Sequence, residues 1–141
     1  MILKLLKIQS FKNLEETELK FSDKLNCFTG NNGAGKTNLL DALYYLSFTK
    51  SYFNTNDQQN IKYGNDFFVL KGEYEKNNKA EKVYCAYSSI KKKVFKRNDK
   101  AYSKFSEHIG AFPAVIISPD DIVLISGPAE ERRKYTDSVI S

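Results

Sequence analysis

The fold is decided by the stretch Gly30-Asn31-Asn32-Gly33-Ala34-Gly35-Lys36-Thr37, which has the pattern G-x-x-x-x-G-K-T. This is the P-loop pattern, in which backbone N–H groups and a lysine hold the phosphates of a nucleotide. The apolar run Leu25–Phe28 before it predicts a strand, and the largely apolar residues Asn38–Leu46 after it predict a helix. A strand–loop–helix order places the helix N-terminus at the phosphates. Residues 25–48 are therefore predicted to form a nucleotide site.

The residue types of the motif suit phosphate binding. Glycine adopts the positive φ angles that a tight loop needs, and asparagine tolerates them better than most residues. Lys36 is expected to reach the β- and γ-phosphates, and the Thr37 hydroxyl is expected to bind Mg²⁺. The alternative is an ordinary glycine-rich turn with a surface lysine, which the flanking strand and helix disfavour. The predicted nucleotide-binding residues are Gly30, Asn31, Asn32, Gly33, Ala34, Gly35, Lys36 and Thr37.

Composition narrows the class of protein. A length of 141 residues suits one domain. Hydrophobic residues make up 41% of the chain and charged residues 28%, as in an ordinary globular protein. No apolar run approaches the ~20 residues of a membrane span. Two scattered cysteines favour a reducing cytoplasm, and the single His108 gives no basis for a zinc site or a histidine-based triad. The net charge of +5 permits an anionic partner without requiring one.

The remaining segments predict an α/β fold with a mixed sheet around the P-loop helix. Alternation and turn residues predict an antiparallel pair before the P-loop, an antiparallel meander over residues 66–97, and a further buried strand. The predicted strands are Ile2–Gln9, Glu15–Phe21, Asp66–Glu75, Lys82–Ser88, Lys91–Arg97 and Ala111–Ile117. Residues Lys50–Asn65 predict a long loop or a short irregular helix. The final Ser138-Val139-Ile140-Ser141 lacks a helix stop signal, so we expect the protein to continue.

Two charged segments each leave two interpretations open. The basic run Lys91–Arg97 could face a nucleic-acid backbone, but lysines that protect an exposed hairpin edge are the favoured interpretation. Ser118-Pro119-Asp120-Asp121 follows a predicted strand, as metal-binding carboxylates do in P-loop ATPases. A helix start is favoured, with Ser118 as N-cap and Pro119 in the first turn. Asp120 and Asp121 stay possible outer contacts of a metal site, and no catalytic residue is predicted. Arg132 and Arg133 follow Glu130 and Glu131 in a predicted helix and could contact a partner.

The whole chain resembles the amino-terminal part of the RecF family of bacterial DNA replication and repair ATPases, which are of the ABC/SMC class. The matching stretches are Leu6–Leu14, Phe28–Ala42, Ile116–Ile125 and Arg132–Asp137. The first two stretches fit many ABC/SMC heads, and the last two are specific to the family. Two departures are visible: Lys12 stands where the family usually has arginine, and Thr49–Phe53 replaces a stretch that carries two arginines.

The resemblance implies ATP and Mg²⁺ as cofactors and a role in DNA repair, DNA replication and recombination. It implies binding to single-stranded DNA and junction duplex, an ATP-dependent homodimer of the full-length protein, and work with RecO and RecR to load the recombinase. Residues 1–141 would be the amino-terminal lobe of an ABC-type head, with Lys12 or Asn13 near the nucleotide. The Walker B acids, the signature motif and the hydrolytic glutamate would lie beyond Ser141, so this chain alone is not expected to hydrolyse ATP.

Two rival functions belong to other classes. A self-contained P-loop kinase or small NTPase would use Asp120 and Asp121 at its metal. A DNA-binding module would use the basic hairpin without nucleotide turnover.

Overall fold

The computed structural model describes residues 1–122 and 126–140, and the side chains of these residues except 138–140. Its main element is a six-stranded sheet in the order β2-β1-β3-β4-β5-β6. The strands are β1 Ile2–Phe11, β2 Leu14–Lys20, β3 Phe67–Lys76, β4 Lys79–Ser88, β5 Lys92–Arg97 and β6 Lys100–Ala101. The helices are α1 Lys36–Phe48 and α2 Ala129–Ile140, with 3₁₀ turns at Asp57–Asn60, Phe105–His108 and Pro119–Ile122.

Tight turns make the sheet antiparallel. Asn77 and Asn78 join β3 to β4, and Asn98 and Asp99 join β5 to β6, all with positive φ between 48° and 66°. Such left-handed pairs match the twist of adjacent strands, and Asn and Asp tolerate them. Each neighbouring pair in the sheet is antiparallel. The predicted meander over residues 66–97 is thus present, and it continues the sheet that β1 and β2 begin.

Helix α1 covers one face of this sheet. Its buried Leu39, Ala42, Tyr45 and Leu46 pack in one core with apolar side chains of β1, β3, β4 and β5. The strand side chains in that core include Leu6, Ile8, Phe68, Leu70, Val83, Cys85 and Phe95. Gly72 allows the close approach, because a Cβ there would lie 3.0 Å from Leu46 Cδ1. The helix that begins at the P-loop is therefore fixed to the centre of the sheet.

Three predictions about the sheet are wrong. Residues 25–28 and 111–117 lie in segments without strand structure in the described part of the chain, and Leu25, Val115 and Ile117 are 80–85% exposed. A strand needs a neighbour that accepts its backbone hydrogen bonds, and the described sheet has no strand beside either segment. The predicted mixed sheet is likewise not seen, since every strand pair of the described residues is antiparallel. Short hairpin turns require that geometry between consecutive strands, and β1 and β3, which are not consecutive, are also antiparallel.

Candidate nucleotide-binding site

The loop Gly30–Thr37 has a backbone that only glycine adopts easily at its turning points. Gly33 has φ 83° and Gly35 has φ 102°, both left-handed. Gly35 is also in close contact, because a Cβ there would lie 2.8 Å from Asn13 Oδ1 and 2.7 Å from Leu14 Cδ2. The Ala34 N–H donates to the Asn31 carbonyl at 3.2 Å, which closes the loop on itself. Glycine is thus required at Gly33 by conformation, and at Gly35 by both conformation and packing.

The N-terminus of α1 is open to an anion. Gly35 is its N-cap residue, no side chain caps it, and its first turn contains no acidic residue. The first N–H groups of a helix have no intrahelical acceptor, and the helix dipole adds partial positive charge there. An anion that accepts hydrogen bonds from these N–H groups would therefore be stabilised at this point.

Lys36 and Thr37 supply the polar side chains of this helix start. The Lys36 ammonium folds over the loop and donates to the carbonyls of Gly30 at 2.7 Å and Asn31 at 2.8 Å. Thr37 is exposed in the first turn of α1. The donor set is one ammonium, one free hydroxyl and a row of backbone N–H groups. This set fits the phosphates of a nucleotide and one Mg²⁺.

Asn13, in the turn between β1 and β2, holds the loop from outside. Its Nδ2 donates to the Gly33 carbonyl, and its Oδ1 accepts from Asn38 Nδ2, both at 2.7 Å. The resemblance implied that Lys12 or Asn13 lies near the nucleotide. The structure places Asn13 against the loop and turns Lys12 elsewhere.

Lys12 forms a buried ion pair with Asp41 of α1, at 2.5 Å between Nζ and Oδ2. The Asp41 side chain is 0% exposed and that of Lys12 is 11% exposed. The carboxylate also accepts from the Ser51 hydroxyl at 2.6 Å and from the Tyr52 N–H at 2.7 Å. Sequence reasoning missed this network. The signal for it was a lone aspartate on a helix that is otherwise apolar on nearly all sides.

The predicted basic run Lys91–Arg97 is divided by the structure. Lys93 pairs with Asp57 at 2.8 Å and donates to the Thr49 carbonyl at 2.8 Å. Asp57 also accepts from the Tyr45 hydroxyl, whose pKa is raised, mainly by burial. Arg97 pairs with Glu81 at 2.7 Å, and hydrogen bonds from Arg97 lower the pKa of Glu81 to about 2. These two cations stabilise the fold.

The lysines around Tyr84 are disposed differently. Lys71, Tyr84 and Lys96 are directly opposite one another on β3, β4 and β5. Both ammonium groups lie over the Tyr84 ring, at 5.5 and 5.6 Å from its centroid. Neither lysine takes part in the ion pairs found among the described residues. Lys91 and Lys92 at the hairpin end are exposed.

Asp120 and Asp121 lie in the 3₁₀ turn Pro119–Ile122, as the helix-start interpretation predicts. Asp121 Oδ2 accepts from the Ser118 N–H at 2.5 Å, as the third residue of a helix does in a capping box, which agrees with Ser118 as the N-cap residue. Asp121 Oδ1 accepts from the Tyr52 hydroxyl at 2.9 Å, and these bonds, the one from Ser118 first, hold the pKa of Asp121 below its usual value. In the described residues no group of three or more His, Cys, Asp or Glu side chains could hold a metal ion.

His108 is a buried structural residue. Its Nε2 lies 2.7 Å from the Leu46 carbonyl, so this nitrogen carries the proton, and Nδ1 accepts from the Tyr102 hydroxyl at 3.1 Å. Burial lowers the pKa of His108 and favours the neutral ring. Nearer the end of the chain, α2 carries an ion pair between Glu130 and Lys134, four residues apart, at 3.1 Å.

Comparison with known families decides the class of this site. The AAA ATPase domain family matches residues 1–122. The chain belongs to the AAA ATPase domain family. The matched span includes the loop Gly30–Thr37 and helix α1.

Curated relatives narrow the family further. The chain is 55% identical over 142 residues to the DNA replication and repair protein RecF of Bacteroides thetaiotaomicron and 54% identical over 136 residues to that of Flavobacterium johnsoniae. The alignments cover 100% and 96% of the chain, and 38% of each relative. The resemblance to the RecF family is therefore confirmed, and the chain spans about two-fifths of the length of these relatives.

Solved structures agree on the fold. The recombination mediator protein RecF with ATP, of the RecFOR pathway, superposes with a TM-score of 0.90 at 32% identity over 99% of this chain and 38% of that chain. An SMC ATPase superposes with a TM-score of 0.80 over 99% of both chains, and at 15% identity it shows the fold alone. The part of the chain that the structure describes contains no helix long and apolar enough to cross a bilayer.

Proposed function

We propose that this chain is the ATP-binding lobe of a RecF-like DNA replication and repair protein, which acts in the cytoplasm. Such a protein would bind single- and double-stranded DNA with ATP and help to load the recombinase. The observation that carries the proposal is the open N-terminus of α1 behind a loop of left-handed glycines, in a chain 55% identical to RecF. The superposed RecF structure is that of a complex with ATP.

Within the site, each group has a defined task. The N–H groups of the loop and of the first turn of α1 would donate hydrogen bonds to the phosphate oxygens. Lys36 would exchange its two carbonyl partners, Gly30 and Asn31, for phosphate oxygens. The Thr37 hydroxyl would bind Mg²⁺, which neutralises phosphate charge when bound. A few charge-assisted bonds of about 1.5–3 kcal/mol each suffice for a micromolar complex of about 8 kcal/mol.

The residues that would complete hydrolysis are not assigned to this chain. By resemblance, an ATP-dependent homodimer would add the signature motif from its second copy, and RecO and RecR would be partners of the full-length protein. Asp121 is already bound to the Ser118 N–H and the Tyr52 hydroxyl. Its engagement disfavours the rival function of a self-contained kinase or small NTPase, in which it would serve the metal.

The positive charges on the sheet support one candidate DNA-binding surface. Lys71 and Lys96 lie at one level of β3 and β5 with Tyr84 between them, on the face opposite the core residues Leu70 and Phe95. Adjacent strands are about 4.8 Å apart, so the two lysine backbones are separated by about 10 Å. Two cations without carboxylate partners on an open face suit a phosphate backbone.

Titration calorimetry of the purified protein with Mg·ATP tests the nucleotide site. We expect micromolar affinity for the natural protein and no measurable binding for Lys36→Ala. The matched control is Lys50→Ala, since Lys50 is an exposed lysine just beyond the other end of α1 and should not affect binding. Unchanged affinity of Lys36→Ala would remove the P-loop assignment. Steady ATP turnover by the purified 141-residue chain would favour the self-contained enzyme.

A further inference from the structure

We propose that Asn13 is a positioning residue of the nucleotide site, which sets the P-loop conformation without touching the nucleotide. This inference rests on the proposed binding of a nucleoside triphosphate. Asn13 belongs to the β1–β2 turn, and its amide donates to the Gly33 carbonyl at 2.7 Å while accepting from Asn38 Nδ2 at 2.7 Å. One side chain thus joins the sheet, the loop and the first turn of α1.

The contact fixes the peptide unit between Gly33 and Ala34 at both ends. Asn13 holds its carbonyl oxygen, and the Asn31 carbonyl accepts its N–H at 3.2 Å. The peptide is planar and trans, so holding these two atoms fixes the orientation of the whole unit.

Gly33 is the point at which the loop would otherwise change conformation. A Cβ built on Gly33 would find no atom within 4 Å, so packing does not hold this residue. Its φ of 83° is one that glycine leaves easily, because glycine has access to more backbone conformations than any other residue. Without Asn13, the peptide after Gly33 could turn its carbonyl oxygen towards a bound phosphate, where like charge would repel.

The same turn also fixes the start of the helix. A Cβ on Gly35 would lie 2.8 Å from Asn13 Oδ1 and 2.7 Å from Leu14 Cδ2, so the turn lies directly against the N-cap of α1. A loop held before binding loses less conformational freedom when the ligand arrives. Asn13 therefore raises affinity for the phosphate chain by preorganisation.

The test is nucleotide binding by Asn13→Ala in the purified protein. We expect the affinities for Mg·ATP, Mg·ADP and pyrophosphate to fall alike, by about tenfold, which equals about 1.4 kcal/mol. The unfolding midpoint without ligand should stay near that of the natural protein, while the ligand-induced rise of the midpoint should shrink. Asn65→Ala is the matched control, because Asn65 donates to Ser10 Oγ at 2.8 Å and does not contact the loop.

A double-mutant cycle separates action through the loop from direct contact. Asn38→Ala removes the donor to Asn13 Oδ1, so we expect a loss of about threefold alone and no further loss in Asn13→Ala. Binding by Asn13→Ala within twofold of the natural protein would overturn the inference. A loss of affinity confined to ATP, or additive losses in the double-mutant cycle, would also overturn it, because both results would indicate direct contact of Asn13 with the nucleotide. If the natural protein bound none of the three ligands, that result would instead refute the proposed function.

Discussion

The ion pair between Lys12 and Asp41 gives a sharp prediction about stability. Asp41→Ala leaves the Lys12 ammonium without a carboxylate where only 11% of its side chain is exposed. It also removes the acceptor of the Ser51 hydroxyl and of the Tyr52 N–H. Removing one partner of a buried pair costs about 3–5 kcal/mol. We expect a loss of about 4 kcal/mol, or about 12 °C in the unfolding midpoint at roughly 3 °C per kcal/mol.

The measurement is thermal and urea unfolding followed by circular dichroism. Lys7→Met is the matched control, because it breaks the Lys7–Glu18 pair, which has the similar length of 2.8 Å but side chains about half exposed. Such a surface pair contributes little to stability, because water screens it. The double variant Lys12→Met with Asp41→Leu should be more stable than Asp41→Ala, because it leaves no uncompensated charge. A loss of less than about 1 kcal/mol in Asp41→Ala would show that the buried pair does not stabilise the fold as proposed.

Three further predictions concern other parts of the chain. Glu81→Gln should lower the free energy of unfolding by about 1 kcal/mol at pH 7. The pKa of Glu81 is about 2 in the folded protein and 4.5 in the unfolded chain. In acid-unfolding curves the loss should therefore be full above pH 4.5 and disappear towards pH 2. The exposed Cys27 should react at once with a thiol reagent, whereas Cys85 should react only on unfolding, because burial raises its pKa. Replacing Lys71 and Lys96 by Ala should flatten the log–log salt dependence of DNA binding by about 1.8.

Each of these has a control in the same molecule. Glu15→Gln breaks the Lys62–Glu15 pair, in which Glu15 is 78% exposed, and should leave acid unfolding almost unchanged. For DNA, Lys62→Ala should not change the salt slope, since Lys62 is already neutralised by Glu15. An unchanged slope for the Lys71 and Lys96 variant would show that the Tyr84 face does not meet the phosphate backbone. Rapid labelling of Cys85 in the folded protein would contradict its burial.

The parts of the fold that local sequence determines were predictable. The P-loop and its helix follow from a motif whose glycines have no substitutes at their φ angles. The meander follows from alternating strands and from the Asn-Asn and Asn-Asp turns, because Asn and Asp tolerate the left-handed conformation that such hairpin turns need. The two wrong strand predictions, at 25–28 and 111–117, share one cause. An apolar run becomes a strand only beside a partner, and the sequence of the run does not show whether a partner is there.

The candidate site divides in the same way. Gly30–Thr37 was found from the motif, and the contacts that hold it were not. Lys12 and Asp41 are far apart in sequence, and their pairing depends on how α1 lies on the sheet. The roles of the lysines and the arginine in the basic run Lys91–Arg97 also depend on the fold. Lys93 and Arg97 resemble the other lysines in sequence, and only the fold brings Asp57 and Glu81 to them.

The central claim is that the backbone of Gly30–Thr37 holds a nucleoside triphosphate. Amide resonances of the ¹⁵N-labelled protein, recorded with increasing Mg·ATP, test it most directly. We expect the largest shifts on the N–H groups of the loop and the first turn of α1, with smaller shifts at Asn13. These shifts should be absent in Lys36→Ala and unchanged in Lys50→Ala. Saturable shifts elsewhere in the chain, with the loop amides unmoved, would contradict the account.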